Sequence, residues 1–203
     1  MTAMESRDTA AARIQLATDP GHFAPLLGGG FLQSGAAGSS MAVFLCREAG
    51  IGADYLKDRV QTLFLDGRAI DDPQSAVVAD GSVVSLSAAM PGLAGAVLRR
   101  SGRYAAMRRQ ISHEAAGAAA DERARVTVTL KLFNLIAREL GPRFLARGIL
   151  IASDALRDFL ERQGRWLWAE GDTAVVDDRG VAPAELVRAL PVQGPVWLRI
   201  TPR

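Results

Sequence analysis

The chain repeats itself. Leu27-Gly28-x-x-Phe31-Leu32-x-x-Gly35 recurs as Leu140-Gly141-x-x-Phe144-Leu145-x-x-Gly148, each residue 113 positions further on, and Ser40 with Ser153 and Ala42 with Ala155 keep that shift. Over positions 27–42 this makes seven identities, where average residue usage gives about one or two. A repeat of this kind restricts the fold strongly, because each copy must build the same elements from the same local chemistry. The likeness runs outward with small gaps. Arg13-Ile14-Gln15-Leu16 matches Thr129-Leu130-Lys131-Leu132 as an alternating strand, and Phe44-Leu45-Cys46-Arg47 matches Phe159-Leu160-Glu161-Arg162 as the end of a helix. Thr62–Gly67 and Ala174–Asp178 are apolar strands running into turns, and each copy closes with a further turn and strand, Val83–Leu86 and Val196–Ile200.

Each copy therefore reads as strand, Gly-containing loop, helix, strand, turn segment, strand. Ser39 or Ser40 is placed to cap the first helix, and Ser153 with Asp154 the second. The expected class is α+β, with a disordered tail over 1–12, one module over 13–90, an Arg/Ala-rich connector over 91–124 and a second module over 125–203. Two stretches, Leu63-Phe64-Leu65-Asp66-Gly67 and Val77-Val78-Ala79-Asp80-Gly81-Ser82-Val83-Val84-Ser85-Leu86, carry a resemblance. They resemble the β-grasp fold of ubiquitin-like proteins, and within it the sulfur carriers of thiamine and molybdopterin biosynthesis. The resemblance implies two tandem β-grasp-like modules. It covers about a third of each copy, and the Gly-rich segment Leu27–Gly38 stands where the second strand of that fold belongs. The carriers work through a free C-terminal Gly-Gly, whereas copy two ends Ile200-Thr201-Pro202-Arg203. The resemblance thus speaks for the fold and not for the carrier activity.

Composition bounds the chemistry. Net charge is +2, and nearly all the positive charge is arginine, with Lys57 and Lys131 the only lysines. Arginine suits bidentate contact with carboxylate or phosphate, though a GC-rich coding sequence also writes Arg for Lys. A single cysteine, Cys46, excludes an intramolecular disulfide. The first twelve residues lack the apolar core of a signal peptide, and no stretch has the about 20 apolar residues that span a bilayer. The expected compartment is the cytoplasm.

No catalytic constellation stands out. His22 and His113 are far apart and there is one thiol, so no metal site and no cofactor are expected. Cys46, within Val43-Phe44-Leu45, reads as core packing. The segment Gly28–Ser40 has the gap of a phosphate loop between Gly30 and Gly35, but Ala36 occupies the lysine position. An anion held by Gly28, Gly35, Ser39 and Ser40 before a helix is the remaining ligand reading. Its competitor is backbone geometry, since the second copy keeps the glycines at 141 and 148 but has Pro142 and Arg143 between them. The pairs Asp71-Asp72 and Asp177-Asp178 read as turn residues. Trp166 and Trp168 would share one face of a strand, and with Trp197 they serve a core or an interface.

The connector is the expected partner site. Arg99, Arg100, Arg103, Arg108 and Arg109 precede any acid, and Tyr104, Met107 and Ile111 recur at helical spacing. Contact with an outside partner, docking on the modules and a solvated tether are the three fates of such a segment. The reading of the whole is a non-enzymatic, protein-interaction or assembly protein. The alternatives are a sulfur-carrier-like or small-anion-binding protein, and a binder of nucleic acid or an acidic membrane surface through Arg99–Arg109.

Overall fold

The computed structural model describes residues 11–88 and 121–203, with 121–123 and 165 described in backbone only. Strand β1 (Ala12–Ala17) leads through a 3-10 turn (Pro20–Phe23) and a short helix α1 (Leu26–Gly29) into β2 (Phe31–Ala37). Helix α2 (Met41–Val43) runs on as a π-turn (Phe44–Glu48), and α3 (Ala53–Asp58) follows. Then come β3 (Thr62–Leu65), β4 (Arg68–Ala69) and β5 (Val83–Ser87). The later half opens with β6 (Asp121–Phe133), α4 (Asn134–Arg147), β7 (Ile149–Ala152) and α5 (Ser153–Gln163). It continues with β8 (Thr173–Val176), β9 (Arg179–Val181), a one-turn helix α6 (Leu186–Ala189) and β10 (Pro195–Thr201). The fold is mixed α/β, and the order strand, helix, strand, helix, hairpin, closing strand occurs in both halves.

The chain divides into two compact units. Unit one is Met1–Leu32 with Ala137–Arg203, and unit two is Gln33–Ile136. In unit two the strand order is β4-β3-β5-β6-β2. β3 is antiparallel to β4 and β5, while β5 and β6 run parallel from Val83 opposite Thr129 to Ser87 opposite Phe133. Period-two alternation sends Leu63, Leu65, Val84, Leu86, Leu130 and Leu132 to the core, where they join Met41, Phe44 and Leu45 of the helical layer. Asp66 and Gly67 both have positive φ, as a tight two-residue hairpin turn requires. The Val83 N–H donates to Asp66 Oδ1 at 2.7 Å, which ties that turn to the closing strand.

In unit one the order is β9-β8-β1-β10-β7, with Leu32 of β2 opposite Leu150. Here β1, from the start of the chain, lies between β10, to which it is parallel, and β8, to which it is antiparallel. Each unit therefore centres on a parallel pair made from the opening strand of one half of the chain and the closing strand of the other. The core of unit one gathers Ile14, Leu16, Phe23, Leu156, Phe159, Leu198 and Ile200. Phe31 and Phe144, which the repeat equates, are 2% and 3% exposed and their rings pack 5.1 Å apart, but Phe31 opens strand β2 whereas Phe144 lies in helix α4, so the repeat register and the element order part there.

Four local expectations change. The Gly-rich segment is strand over Phe31–Ala37, because tertiary packing outweighs the weak strand propensity of Gly and Ala. At Gly35 a Cβ would lie 2.8 Å from the Phe44 ring, so the bare backbone is what lets that ring pack. The helix starting at Ser153 is not capped by that residue, whose hydroxyl donates instead to the Pro191 carbonyl. Trp166 ends no strand; it lies in a 3-10 turn, Gly164–Leu167, just ahead of Trp168. Finally, a helix separates the first two strands of each half.

Candidate interaction surface

The residues singled out from sequence fall in three places. Arg99, Arg100, Arg103, Tyr104, Met107, Arg108 and Arg109 lie outside the described residues. Gly28 is in α1, in unit one, whereas Gly35, Ser39 and Ser40 belong to unit two. Ser39 donates its hydroxyl to the Ala36 carbonyl at 2.9 Å, and Ser40 Oγ accepts the Val43 N–H at 3.3 Å as the cap of α2. Both hydroxyls are thus engaged by their own backbone. Cys46 sits half-buried in the π-turn as a free thiol. Among the described residues no three His, Cys, Asp or Glu side chains cluster as a metal site would need, and no helix is long and apolar enough to cross a membrane.

A groove of about 540 Å³ opens in unit one. The C-terminal end of α5 supplies Leu160 and Glu161, the following turn and its exit Gly164 and Trp168, the segment before α6 Pro183 and Ala184, and α6 itself Val187. These elements stand apart for local reasons. Leu156, Phe159 and Leu160 hold α5 on the core, and Phe23 stacks on Phe159 at 5.4 Å while meeting Trp168 edge-on at 6.2 Å. Arg157 donates to the carbonyls of Val187, Leu190 and Pro191 and so ties α5 to α6. Trp166, two residues before the groove-lining Trp168 in the chain, is 81% exposed.

Asp172 closes one side of the groove and is almost wholly buried. Its Oδ2 accepts the Thr18 hydroxyl and the Ala169 N–H, both at 2.8 Å. Its Oδ1 faces Arg203 Nε at 3.3 Å, an ion pair without hydrogen-bond alignment. A buried charge needs such partners to persist. This carboxylate joins the residue after β1, the turn before β8 and the segment after β10 at one point. The counterpart in unit two is Arg125, whose guanidinium forks onto both oxygens of Glu48 at 3.0 and 3.3 Å and donates to Ser34 Oγ at 3.0 Å.

Unit two offers a different surface. Phe64, Gly67, Ser85, Leu86, Ser87, Phe133 and Asn134 line a cavity of about 570 Å³ there. Phe133 is 38% exposed there, and Asn134 donates to Ser87 Oγ at 3.1 Å.

Sequence reasoning did not find Asp172, Arg125 or either cavity. Gly171-Asp172 before a strand is a legible turn signal, but its partners at positions 18 and 203 have no local pattern. No protein-family model, no curated protein and no solved structure matches this chain.

Proposed function

We propose that the protein is a non-catalytic interaction or assembly protein, built from two β-grasp-like copies, that takes an apolar segment of a protein partner into the groove lined by Trp168. The recurring element order supports the duplication, although the constant shift equates Phe31 and Leu32 of strand β2 with Phe144 and Leu145 of helix α4. The parallel pairing of an opening with a closing strand in each unit supports the β-grasp reading. The observation that carries the interaction reading is Trp166. A tryptophan left 81% in water two residues from Trp168, which lines a largely apolar groove, suits an interface anchor, since burying it supplies a large apolar contact at small entropic cost. Glu161 at the groove wall favours a segment that carries a basic residue.

The test places a photo-crosslinking amino acid at Trp166 in the full chain inside its native cells. One dominant crosslinked protein is expected, lost when Val187→Arg fills the groove while the melting temperature holds. No crosslink, or a crosslink indifferent to Val187→Arg, would reject the reading.

A further inference from the structure

The outward face of the unit-one sheet follows from its register. Arg13 stands opposite Trp197, Gln15 opposite Arg199 and Val175, and Ala17 opposite Thr201 and Thr173. Across β10, Trp197 stands opposite Leu150 of β7. None of these paired residues is acidic. Asp177, just beyond β8, engages its carboxylate with the Arg13 main-chain N–H at 2.8 Å.

Both arginines are exposed, and neither forms an ion pair with any described residue. Arg13 lays its guanidinium over the Trp197 ring, 5.6 Å from the centroid. A cation–π contact of this kind fixes the group in place and leaves its charge unneutralised. Arg199 donates Nε to the Ala146 carbonyl at 3.0 Å, which orients its two terminal nitrogens away from the backbone. Gly148 lies flat on the same indole: a Cβ there would come within 2.4 Å of two ring atoms. The end of α4 thus adjoins the face, and it carries Arg143 and Arg147. Partial burial, and then Arg143, lower the Arg147 pKa below the ordinary arginine value, so its positive charge is held at a cost. Arg147 also stacks on Phe144 at 5.1 Å.

We propose that this face binds single-stranded nucleic acid, with Arg13 and Arg199 on phosphates and the Arg13–Trp197 stack as a platform for a base. Guanidinium forks match phosphate oxygens, and bases stack on arginine planes as readily as on aromatic rings. A sheet face with arginine and tryptophan side by side combines the two needs of single-strand binding, positive charge and a stacking plane. An acidic polypeptide would use the charge but has no use for the plane.

The experiment titrates the full chain against a short labelled oligouridylate, followed by fluorescence anisotropy from low to physiological salt. Two arginine–phosphate contacts give an expected slope of log affinity on log salt of about −1.4. The double variant Arg13→Glu/Arg199→Glu is expected to weaken binding by about tenfold or more and to remove most of that slope. Should it melt early, Arg13→Gln/Arg199→Gln replaces it, with a smaller loss in the same direction. Arg103→Glu/Arg108→Glu/Arg109→Glu in the connector is expected to leave most of the binding. The proposal is overturned by absent binding at low salt, by an affinity indifferent to Arg13 and Arg199, or by binding that follows the connector arginines alone. Equal competition by polyglutamate would likewise overturn it, in favour of an acidic protein partner.

Discussion

In unit two the outward rows of the parallel pair and its neighbour are Phe64, Ser85 and Lys131, then Ser87 and Phe133; in unit one the matching rows are Val175, Gln15 and Arg199, then Ala17 and Thr201, with Arg13 and Trp197 where unit two has Val83 and Thr129. The inward residues hardly differ in kind: Leu63, Val84 and Leu130 in one, Ile14, Val176 and Leu198 in the other. The comparison separates two demands on one layout. Core positions are held to apolar residues because each buried side chain contributes about 1.5–3 kcal/mol. Outward positions are free of that demand and can diverge toward different ligands. The strand imported from the other half is held by polar contacts in both units, but by different ones. In unit one a buried carboxylate, Asp172, receives Thr18, whereas in unit two a partly exposed fork joins Arg125 to Glu48.

The largest expected effects should be alike in the two units. Phe144→Ala and Phe44→Ala each remove a buried ring, and each should cost about 3–5 kcal/mol by urea denaturation. A cost under about 1 kcal/mol for either would mean that one core is not packed as described.

Glycine substitutions should separate the units next. At Gly148, φ is +95° and the Trp197 ring fills the space of a Cβ, so Gly148→Ala should cost about 2 kcal/mol or more. At Gly67 in unit two φ is +79° but the space is open, and Gly67→Ala should cost about 1 kcal/mol. Equal melting shifts would remove the assigned role of the indole.

The two polar pins come third. Asp172→Asn disturbs a buried acceptor of two hydrogen bonds and should cost about 1–3 kcal/mol. Glu48→Gln weakens a fork that water partly reaches and should cost about 1 kcal/mol. A reversed order would show that Arg125, not Asp172, is the stronger tie. Smallest of all is Thr62→Val in unit two. The Thr62 hydroxyl is buried with no hydrogen-bond partner among the described residues, so its removal should be neutral or stabilise by up to about 1 kcal/mol.

Much of the local structure was legible. Alternation located the strands around Leu63, Val84, Leu130 and Leu198, and Asp66-Gly67 and Asp177-Asp178 read correctly as turns, since both show positive φ. Ser40 was legible as a cap. Strand Phe31–Ala37 was hidden because Gly35 lowers its propensity, and its reason for being glycine is Phe44, a tertiary neighbour. The exchange of opening strands was illegible for a deeper reason. Ile14 and Leu130 show the same alternation whichever closing strand they pair with, and pairing partners leave no trace in a period of two. The groove lined by Trp168 depends on Arg157 reaching three carbonyls some thirty residues away, which no local pattern encodes.

The most direct measurement tests which strand β1 pairs with. In a Cys46→Ser background, Gln15→Cys/Val175→Cys places thiols on directly opposed residues of β1 and β8, within the reach of a disulfide. A second variant, Gln15→Cys/Ser85→Cys, joins β1 to the closing strand of its own half, as two self-contained tandem modules would. Mild oxidation followed by mass spectrometry of the monomer should give a near-complete disulfide in the first variant and none in the second. A disulfide in the second variant and not in the first would contradict the exchanged strands on which the comparison of the two units rests.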